Sequence, residues 1–366
     1  MQRPPPHVSI IVPTYNEARN VGELTRRLDA VLTGLDWEVV FVDDNSPDRT
    51  YEVVKALALA DARVRCLRRV NRRGLSGACI EGILSSSAPI VAVMDADLQH
   101  DESILPAMIG KIERGEADVV VGSRLVDGGS SQDGFSAPRA FASGMAMRMG
   151  RLLSRSGVTD LMSGFFALRR DAFEAVAPRL TTSGFKILLD ILATASPPLR
   201  AVEIGYRFRA RHEGDSKFDL RAMSDFFGLL VHKATGGLVP PRFVMFLMVG
   251  GTGVFVHLAC LRVAMTAAGL SFETAQTLAT VVAMTWNFLA NNALTYSDAQ
   301  LRGWRAVLGL AQFYAFCSIG AVANVGVASW LFRRENAWWA ASLAGIAMGS
   351  VWNYTMSSLF VWRKTE

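Results

Sequence analysis

Val93-Met94-Asp95-Ala96-Asp97-Leu98-Gln99-His100 is the stretch on which the reading of this chain turns. An apolar run, residues 90–94, leads into it and predicts a buried strand. Two carboxylates one residue apart follow, with an amide beyond. A strand ending near Met94 lets Asp95 and Asp97 aim at one point past the carboxyl edge of a sheet, where open α/β sheets bind ligands. Two carboxylates and an amide oxygen are hard ligands that suit Mg²⁺ or Mn²⁺, an ion usually shared with a phosphorylated substrate. An acidic turn that caps the next helix accounts for the same residues, so the rest of the chain must choose.

Outward from this stretch the pattern repeats. Residues 8–12 read as a strand stopped by Pro13, and residues 14–17 as a turn into a helix reaching Leu32. Residues 37–42, 64–67 and 119–121 read as further strands, with a helix opening at residues 71–78. Strands alternating with helices predict parallel βαβ units in a doubly wound sheet. The polar clusters Asp43-Asp44-Asn45-Ser46-Pro47-Asp48, Asp95-Ala96-Asp97 and Gly122-Ser123-Arg124 all fall at strand carboxyl ends. Asp43, Asp44, Asp95, Asp97 and Arg124 are therefore expected to converge on one crevice.

Composition divides the 366 residues in two. Residues 242–366 hold eight Lys/Arg and four Asp/Glu, out of 38 and 33 in the whole chain, so nearly all the charge precedes them. Four spans there lack formal charge, residues 243–261, 274–297, 306–332 and 336–362, each near the twenty apolar residues a bilayer core requires. The net charge of +5 comes with no basic stripe interleaved with aromatics, which excludes a nucleic-acid partner; a basic membrane protein facing anionic lipid accounts for it. Cys66, Cys79, Cys260 and Cys317 show neither paired nor metal-ligand spacing. Residues 1–7 contain no apolar signal region, so the first domain is expected to stay cytoplasmic. Arg242, Arg302, Arg305, Arg363 and Lys364 then fall inside, and Arg262, Arg333 and Arg334 outside, the expected bias.

The apolar part repeats itself. Trp286-Asn287-Phe288 recurs as Trp352-Asn353-Tyr354, and Phe243, Phe246 and Gly250 are echoed by Phe313, Phe316 and Gly320. This predicts two helical hairpins in parallel orientation. Asn287, Asn291, Asn292, Asn324 and Asn353 lie within the spans, where amides serve either function or interhelical bonding. Residues 143–154 and 221–236 read as amphipathic segments, for the membrane surface or for packing on the sheet.

Pro13-Thr14-Tyr15-Asn16-Glu17, Val42 to Asp48 and Met94 to His100, taken in order with Gly122-Ser123-Arg124, residues 163–170 and Gly214-Asp215-Ser216-Lys217, resemble family 2 glycosyltransferases of the GT-A fold. More narrowly they resemble the dolichol-phosphate mannose synthase group, over residues 8–218. The last third is similar to the small four-helix GtrA-like membrane family. The resemblance implies a Rossmann-like GT-A nucleotide-sugar domain at residues 1–220, an interfacial linker at 221–238 and a four-helix transmembrane domain at 239–366. It implies donor contacts from Pro13, Tyr15, Glu17, Val42, Asp44, Asp95, Ala96, Asp97, Arg124, Lys186, Arg211 and Lys217. It places the divalent ion, Mg²⁺ or Mn²⁺, on Asp95, Asp97 and Gln99. The acceptor falls to Arg139 and Ser143, on a mobile loop between residues 127 and 160, and to Ser216. Asp95, Asp97, Arg124 and Arg139 are the implied catalytic set. Arg49, Ser76 and Asp101 depart from the family's usual Gly, Gly and Pro.

The implied reaction is inverting transfer of mannose from GDP-mannose to a polyprenyl or dolichyl phosphate. A phosphate monoester is already ionised near neutral pH, its second pKa being about 6, so the chemistry needs positioning and charge relief rather than a strong base. His100 accordingly reads as a turn residue and not a base. The alternatives are a UDP-glucose enzyme on the same lipid, a processive polysaccharide synthase, whose Gln-x-x-Arg-Trp signature is absent, and a lipid-sugar translocator or scaffold.

Overall fold

The structure, a computed structural model, describes residues 5–129, 156–181, 186–209, 228–229, 231–232, 235–296, 299–335 and 338–363. It divides into two compact units, Met1–Gly237 and Leu238–Glu366.

The first unit alternates β1 (Val8–Thr14), α1 (Val21–Val31), β2 (Trp37–Asp43), α2 (Thr50–Ala60), β3 (Val64–Arg68), α3 (Leu75–Leu84) and β4 (Ile90–Val93). Then come α4 (Leu105–Glu113), β5 (Val119–Ser123), β6 (Phe166–Arg169), α5 (Arg170–Glu174), α6 (Ile187–Thr194) and β7 (Ala201–Gly205). Every residue of β1, β2 and β4 is buried, as strands covered by helices on both faces must be. Alternate side chains serve the two faces. Ile10 packs with Leu24, Leu28, Val54 and Met108 beneath α1, α2 and α4. Ile11 packs with Cys79, Ile83 and Leu188 beneath α3 and α6. Helix α3 lies close because Gly82 has no side chain: a Cβ there would stand 2.5 Å from Ile11 Cγ2 and 2.8 Å from Val42 Cγ2.

Two strand expectations are corrected. The seven-stranded sheet runs β3-β2-β1-β4-β6-β5-β7 and is mixed. Strand β6 lies antiparallel between β4 and β5. Neither β6 nor β7 was predicted as a strand, because each is short and its apolar run is broken by charge, Arg169 ending β6 and Glu203 interrupting β7. Strand β1 also continues through Pro13 to Thr14, paired with β2 as far as Asp43. Pairing with β4 stops at Ile11 opposite Val93, so Pro13 removes no ladder bond on that side; proline is tolerated at such open edges. Strand β5 is antiparallel to β6, and β6 to β4, so β5 runs with the parallel strands and its carboxyl end reaches the same edge as those of β2 and β4.

The second unit holds α7 (Pro241–Thr266), α8 (Phe272–Ala290), α9 (Trp304–Glu335) and α10 (Trp338–Met356). Two stretches among the described residues, Pro241–Thr266 and Trp304–Asn324, are long and apolar enough to cross a membrane. Helices α8 and α10 each end in one π-helical turn, Asn291–Thr295 and Ser357–Val361. The repeat is real in three dimensions, but its register on the first helix of each hairpin is corrected. Gly253, not Gly250, is the partner of Gly320: a Cβ on Gly253 would fall on Asn287 Oδ1, and one on Gly320 on Asn353 Oδ1. Phe246 likewise corresponds to Phe313. Phe246 meets Tyr354 at 5.7 Å, and Phe313 meets Phe288 at 5.9 Å. The first helix of each hairpin thus packs on the second helix of the other. Tyr296 and Trp362, equivalent positions that close α8 and α10, stack on each other at 4.3 Å and 2°. Asn292 binds both backbone groups of Leu301 and the Trp362 indole N–H, which makes it a structural amide.

Candidate active site

The turn after β4 is built to display Asp95 and Asp97 while hiding what lies between them. Ala96 is 3% exposed and His100 3%. Leu98 adopts φ +62°, a conformation L-residues rarely take. The turn is fastened from inside. The Asp95 N–H donates to His100 Nδ1 at 3.1 Å, which assigns the imidazole proton to Nε2, 3.6 Å from Asp95 Oδ2. Burial pushes the His100 pKa down to about 4, so the ring is neutral, stacked on Phe165 at 5.1 Å and edged by Tyr206 and Phe208. It is a buried side chain that fastens the turn from within. The Asp97 carboxylate accepts from the Gln99 N–H at 3.1 Å. Asp95 lies against Gly164, where a Cβ would stand 3.1 Å and 3.4 Å from its two oxygens.

Those features test whether the turn suits a divalent ion. Among the described residues no three His, Cys, Asp or Glu side chains group as metal ligands. The available set is two carboxylates and an amide. Mg²⁺ and Mn²⁺ accept such a set, because they take one or two protein carboxylates and complete their shell with water and substrate phosphates. Gly164 leaves room around Asp95. The Gln99 amide nitrogen donates to the Arg209 carbonyl at 3.1 Å, which leaves its oxygen available. The residues fit the ion.

Arg124 follows β5, and the structure gives it a partner that sequence reasoning missed. Asp160, 1% exposed, accepts from Arg124 Nε and Nη2 at 2.9 Å each and from its backbone N–H at 3.2 Å. Glu203 on β7 in turn holds the N–H groups of Thr159 and Asp160 at 2.8 and 3.0 Å. Burial works against the Arg124 charge, but the Asp160 carboxylate more than offsets it and raises the guanidinium pKa. Lys186 shares this neighbourhood: burial, with Arg124 beside it, lowers its ammonium below the ordinary lysine value, while Asp95 and Asp160 act the other way. Arg124 and Asp95, two of the residues expected at the crevice, therefore act on each other electrostatically, and Lys186 joins them.

The β2 end divides. Asp43 is corrected: it is fully buried and its carboxylate is consumed by Ser46 N, Ser46 Oγ and Thr14 Oγ1 at 2.9, 2.5 and 3.2 Å. It is a turn cap and does not join the crevice. Asp44 accepts from the Gly74 N–H at 2.8 Å and pairs with buried Arg69 at 2.6 Å. Burial raises its pKa against the opposing effects of Gly74 and Arg69. Tyr15, 43% exposed, carries the Arg73 guanidinium 4.7 Å over its ring. The loop from Arg69 to Gly74 thus attends both Asp44 and Tyr15. Glu17 binds the Asn20 amide at 2.6 Å, and its N–H binds Thr50. Pro13 and Val42 are register partners on β1 and β2. Arg139, Ser143, Arg211, Ser216 and Lys217 lie outside the described residues, as do residues 143–154 and most of 221–236. Asp160, Glu203, Arg69 and Arg73 were missed because each acts through a contact distant in sequence, with no local spacing to reveal it.

Residues 9–177 match the family described as Glycosyl transferase family 2, and residues 245–362 match GtrA/DPMS, transmembrane domain. A dolichol-phosphate mannosyltransferase of Pyrococcus furiosus is 33% identical over 357 residues, covering 97% of this chain and 99% of that protein. One from Saccharomyces cerevisiae is 36% identical over 217 residues, covering 57% of this chain and 80% of that protein. Among solved structures, a Mycobacterium tuberculosis glucosyl-3-phosphoglycerate synthase with Mn²⁺, UDP and glucosyl-3-phosphoglycerate aligns at TM-score 0.46 and 19% identity, over 63% of this chain and 80% of that one.

Proposed function

The chain belongs to the dolichol-phosphate mannosyltransferase family, and from that membership we propose that it moves mannose from GDP-mannose to the phosphate of a polyprenyl phosphate. The product is polyprenyl-phosphate mannose, inverted at the anomeric carbon. The observation that carries the site reading is the pairing of two elements at one sheet edge: the Asp95–Asp97 turn, fastened by His100, and Arg124, held by buried Asp160.

Each group then has a task. Asp95 and Asp97, with the Gln99 oxygen, hold Mg²⁺ or Mn²⁺, which supplies neutralisation of the donor diphosphate. Arg124 offers planar, charge-assisted donors that suit phosphate or sugar oxygens, and Asp160 fixes the direction in which they face. Lys186 adds a second cation. Pro13, Tyr15, Glu17, Val42, Asp44 and Ala96 form the nucleoside side of the donor site, Arg211 and Lys217 its phosphate side; Arg139, Ser143 and Ser216 receive the acceptor. The acceptor phosphate oxygen forms a bond to the anomeric carbon as the bond from that carbon to the diphosphate breaks, and the electron pair leaves with the nucleotide. No proton need move, because the attacking phosphate is already ionised near pH 7. The chain's contribution is positioning and relief of repulsion between two anions.

The second unit makes this a membrane protein. Residues 239–366 cross as four helices and keep the catalytic unit on the cytoplasmic side, supported by the Lys/Arg bias of the loops.

Purified protein with Mn²⁺, a polyprenyl phosphate and a panel of nucleotide sugars tests the reading, with the lipid product weighed by mass spectrometry. GDP-mannose is the expected donor, EDTA stops transfer, and Asp97→Ala abolishes it. Preference for UDP-glucose would move the chain to the related glucosyl group, and undiminished transfer by Asp97→Ala would end the catalytic assignment of that turn.

A further inference from the structure

We propose that Arg209 is a positioning residue for the metal-binding turn: it clamps Asp101 and Glu102 and so sets the orientation of Gln99. The inference rests on the divalent-ion reading of Asp95, Asp97 and Gln99.

Five hydrogen bonds converge on one residue. The Arg209 N–H donates to the Gln99 carbonyl at 3.0 Å, and the Gln99 side-chain nitrogen donates back to the Arg209 carbonyl at 3.1 Å. The Arg209 guanidinium donates to both oxygens of Glu102 at 2.7 and 3.3 Å and to Asp101 Oδ1 at 3.1 Å. The segment after β7 is thereby sewn to the turn after β4 through main chain and side chain together.

The arrangement fixes which end of the Gln99 amide faces the ion. A carbonyl accepts and cannot donate, so the NH₂ must face Arg209 and the oxygen must face away. A free glutamine would sample both orientations, and only one of them ligates. The turn needs such a hold, because it contains Leu98 at φ +62° and would relax if loosened. The chain departs from its family at this place. Asp101 stands where proline usually follows the histidine, and proline would set the backbone by its ring. Here φ at Asp101 is −86°. That backbone is held by bonds accepted from Ser103 N and Oγ at 3.1 and 2.7 Å, and by Arg209. Glu102 is 7% exposed, so removing the guanidinium strands a buried carboxylate three residues past the turn's last ligand. An electrostatic clamp does here what ring geometry does elsewhere.

The test uses the full chain in detergent micelles. Free Mn²⁺ is followed by electron paramagnetic resonance during titration, with and without GDP, beside the Mn²⁺ dependence of mannosyl transfer. Arg209→Ala should raise the Mn²⁺ dissociation constant and the half-saturating Mn²⁺ concentration about tenfold, with kcat at saturating Mn²⁺ within about twofold of wild type. Arg209→Lys, which keeps the charge but loses the planar fork, should fall between. A loss of stability alone would lower active protein without moving the metal dependence. A dissociation constant for Arg209→Ala within twofold of wild type overturns the proposal. Should Arg209→Ala fail to fold, Asp101→Asn, which leaves the Glu102 pair intact, is expected to shift the constant about threefold, and no shift overturns the clamp equally. Asp97→Ala run beside them separates the two levels. If it leaves Mn²⁺ binding unchanged, the ion does not sit on this turn and the clamp falls with it; if it removes binding and Arg209→Ala does not weaken it, the clamp alone is wrong.

Discussion

Asp160→Asn isolates the contact that aims Arg124. The substitution keeps the volume of a side chain only 1% exposed, so no cavity forms. The carboxylate now accepts three N–H groups from Arg124: Nε, Nη2 and the backbone. An amide keeps one oxygen and turns an NH₂ toward a guanidinium that can only donate. Two charge-assisted bonds are lost or weakened. Hydrogen bonds to charged groups contribute about 1.5–3 kcal/mol each. The Arg124 side chain is 29% exposed, so water recovers part of the loss, and a net of about 2 kcal/mol remains. If that orientation is required at the transition state, kcat/KM for the nucleotide sugar falls about 30-fold. Arg124→Ala sets the scale and should fall about a hundredfold or more. Lipid-extractable radiolabelled mannose, measured across donor concentrations, reads both. Asp160→Asn within threefold of wild type, beside a crippled Arg124→Ala, would show that Arg124 works without its partner and would refute the argument.

In the second unit, Gly253→Ala drives a methyl onto Asn287 Oδ1 and should lower stability by about 1–3 kcal/mol, the usual cost of overpacking. Asn287→Ala should cost little by itself, since that oxygen has no hydrogen-bond partner, and the double variant should recover most of the loss; additive melting shifts in detergent would deny the contact. Arg49 sits at φ +64°, so Arg49→Gly should stabilise by about 0.5 kcal/mol, the left-handed strain relieved less the entropy of glycine, while its exposed 3.6 Å pair with Glu52 contributes nothing measurable. A denaturation midpoint that falls would contradict this. The Arg200 guanidinium beside Asp118 holds that carboxyl below its ordinary value of 3.8. A depressed carboxylate adds stability above its unfolded pKa and loses it as pH falls through the folded one. Asp118→Asn should therefore cost about 1 kcal/mol at pH 6, discounted because Arg200 is largely exposed, and the gap to wild type should narrow as pH drops below 3.8; a constant gap from pH 6 to pH 3 would contradict the linkage.

Much of the architecture was written locally. Buried apolar runs at residues 8–12, 37–42 and 90–94 announce strands because a parallel sheet covered on both faces has no polar side to alternate with. Asp95, Asp97 and Arg124 announced the crevice because a doubly wound sheet sends its strand ends to one edge. The charge-poor last third announced helices for a membrane because a bilayer tolerates few ionised groups. The repeat in Trp286-Asn287 and Trp352-Asn353 was visible as identical letters.

The folded chain alone decided the rest. Strand β6 is four residues long, and its antiparallel place between β4 and β5 depends on ladder partners some fifty to eighty residues away, which no local pattern encodes. Asp43 and Asp44 are neighbours of the same type, yet one caps its own turn and the other faces Arg69 and Gly74. Successive side chains at a strand end point in opposite senses, and only the neighbours on each side say what each one binds. The register Gly253 with Gly320 likewise came from which glycine meets an asparagine, because helix faces are set by packing. Residue identity supplies the chemistry a group can do; the contacts that leave it available, or consume it, come from chain segments that meet only in the fold.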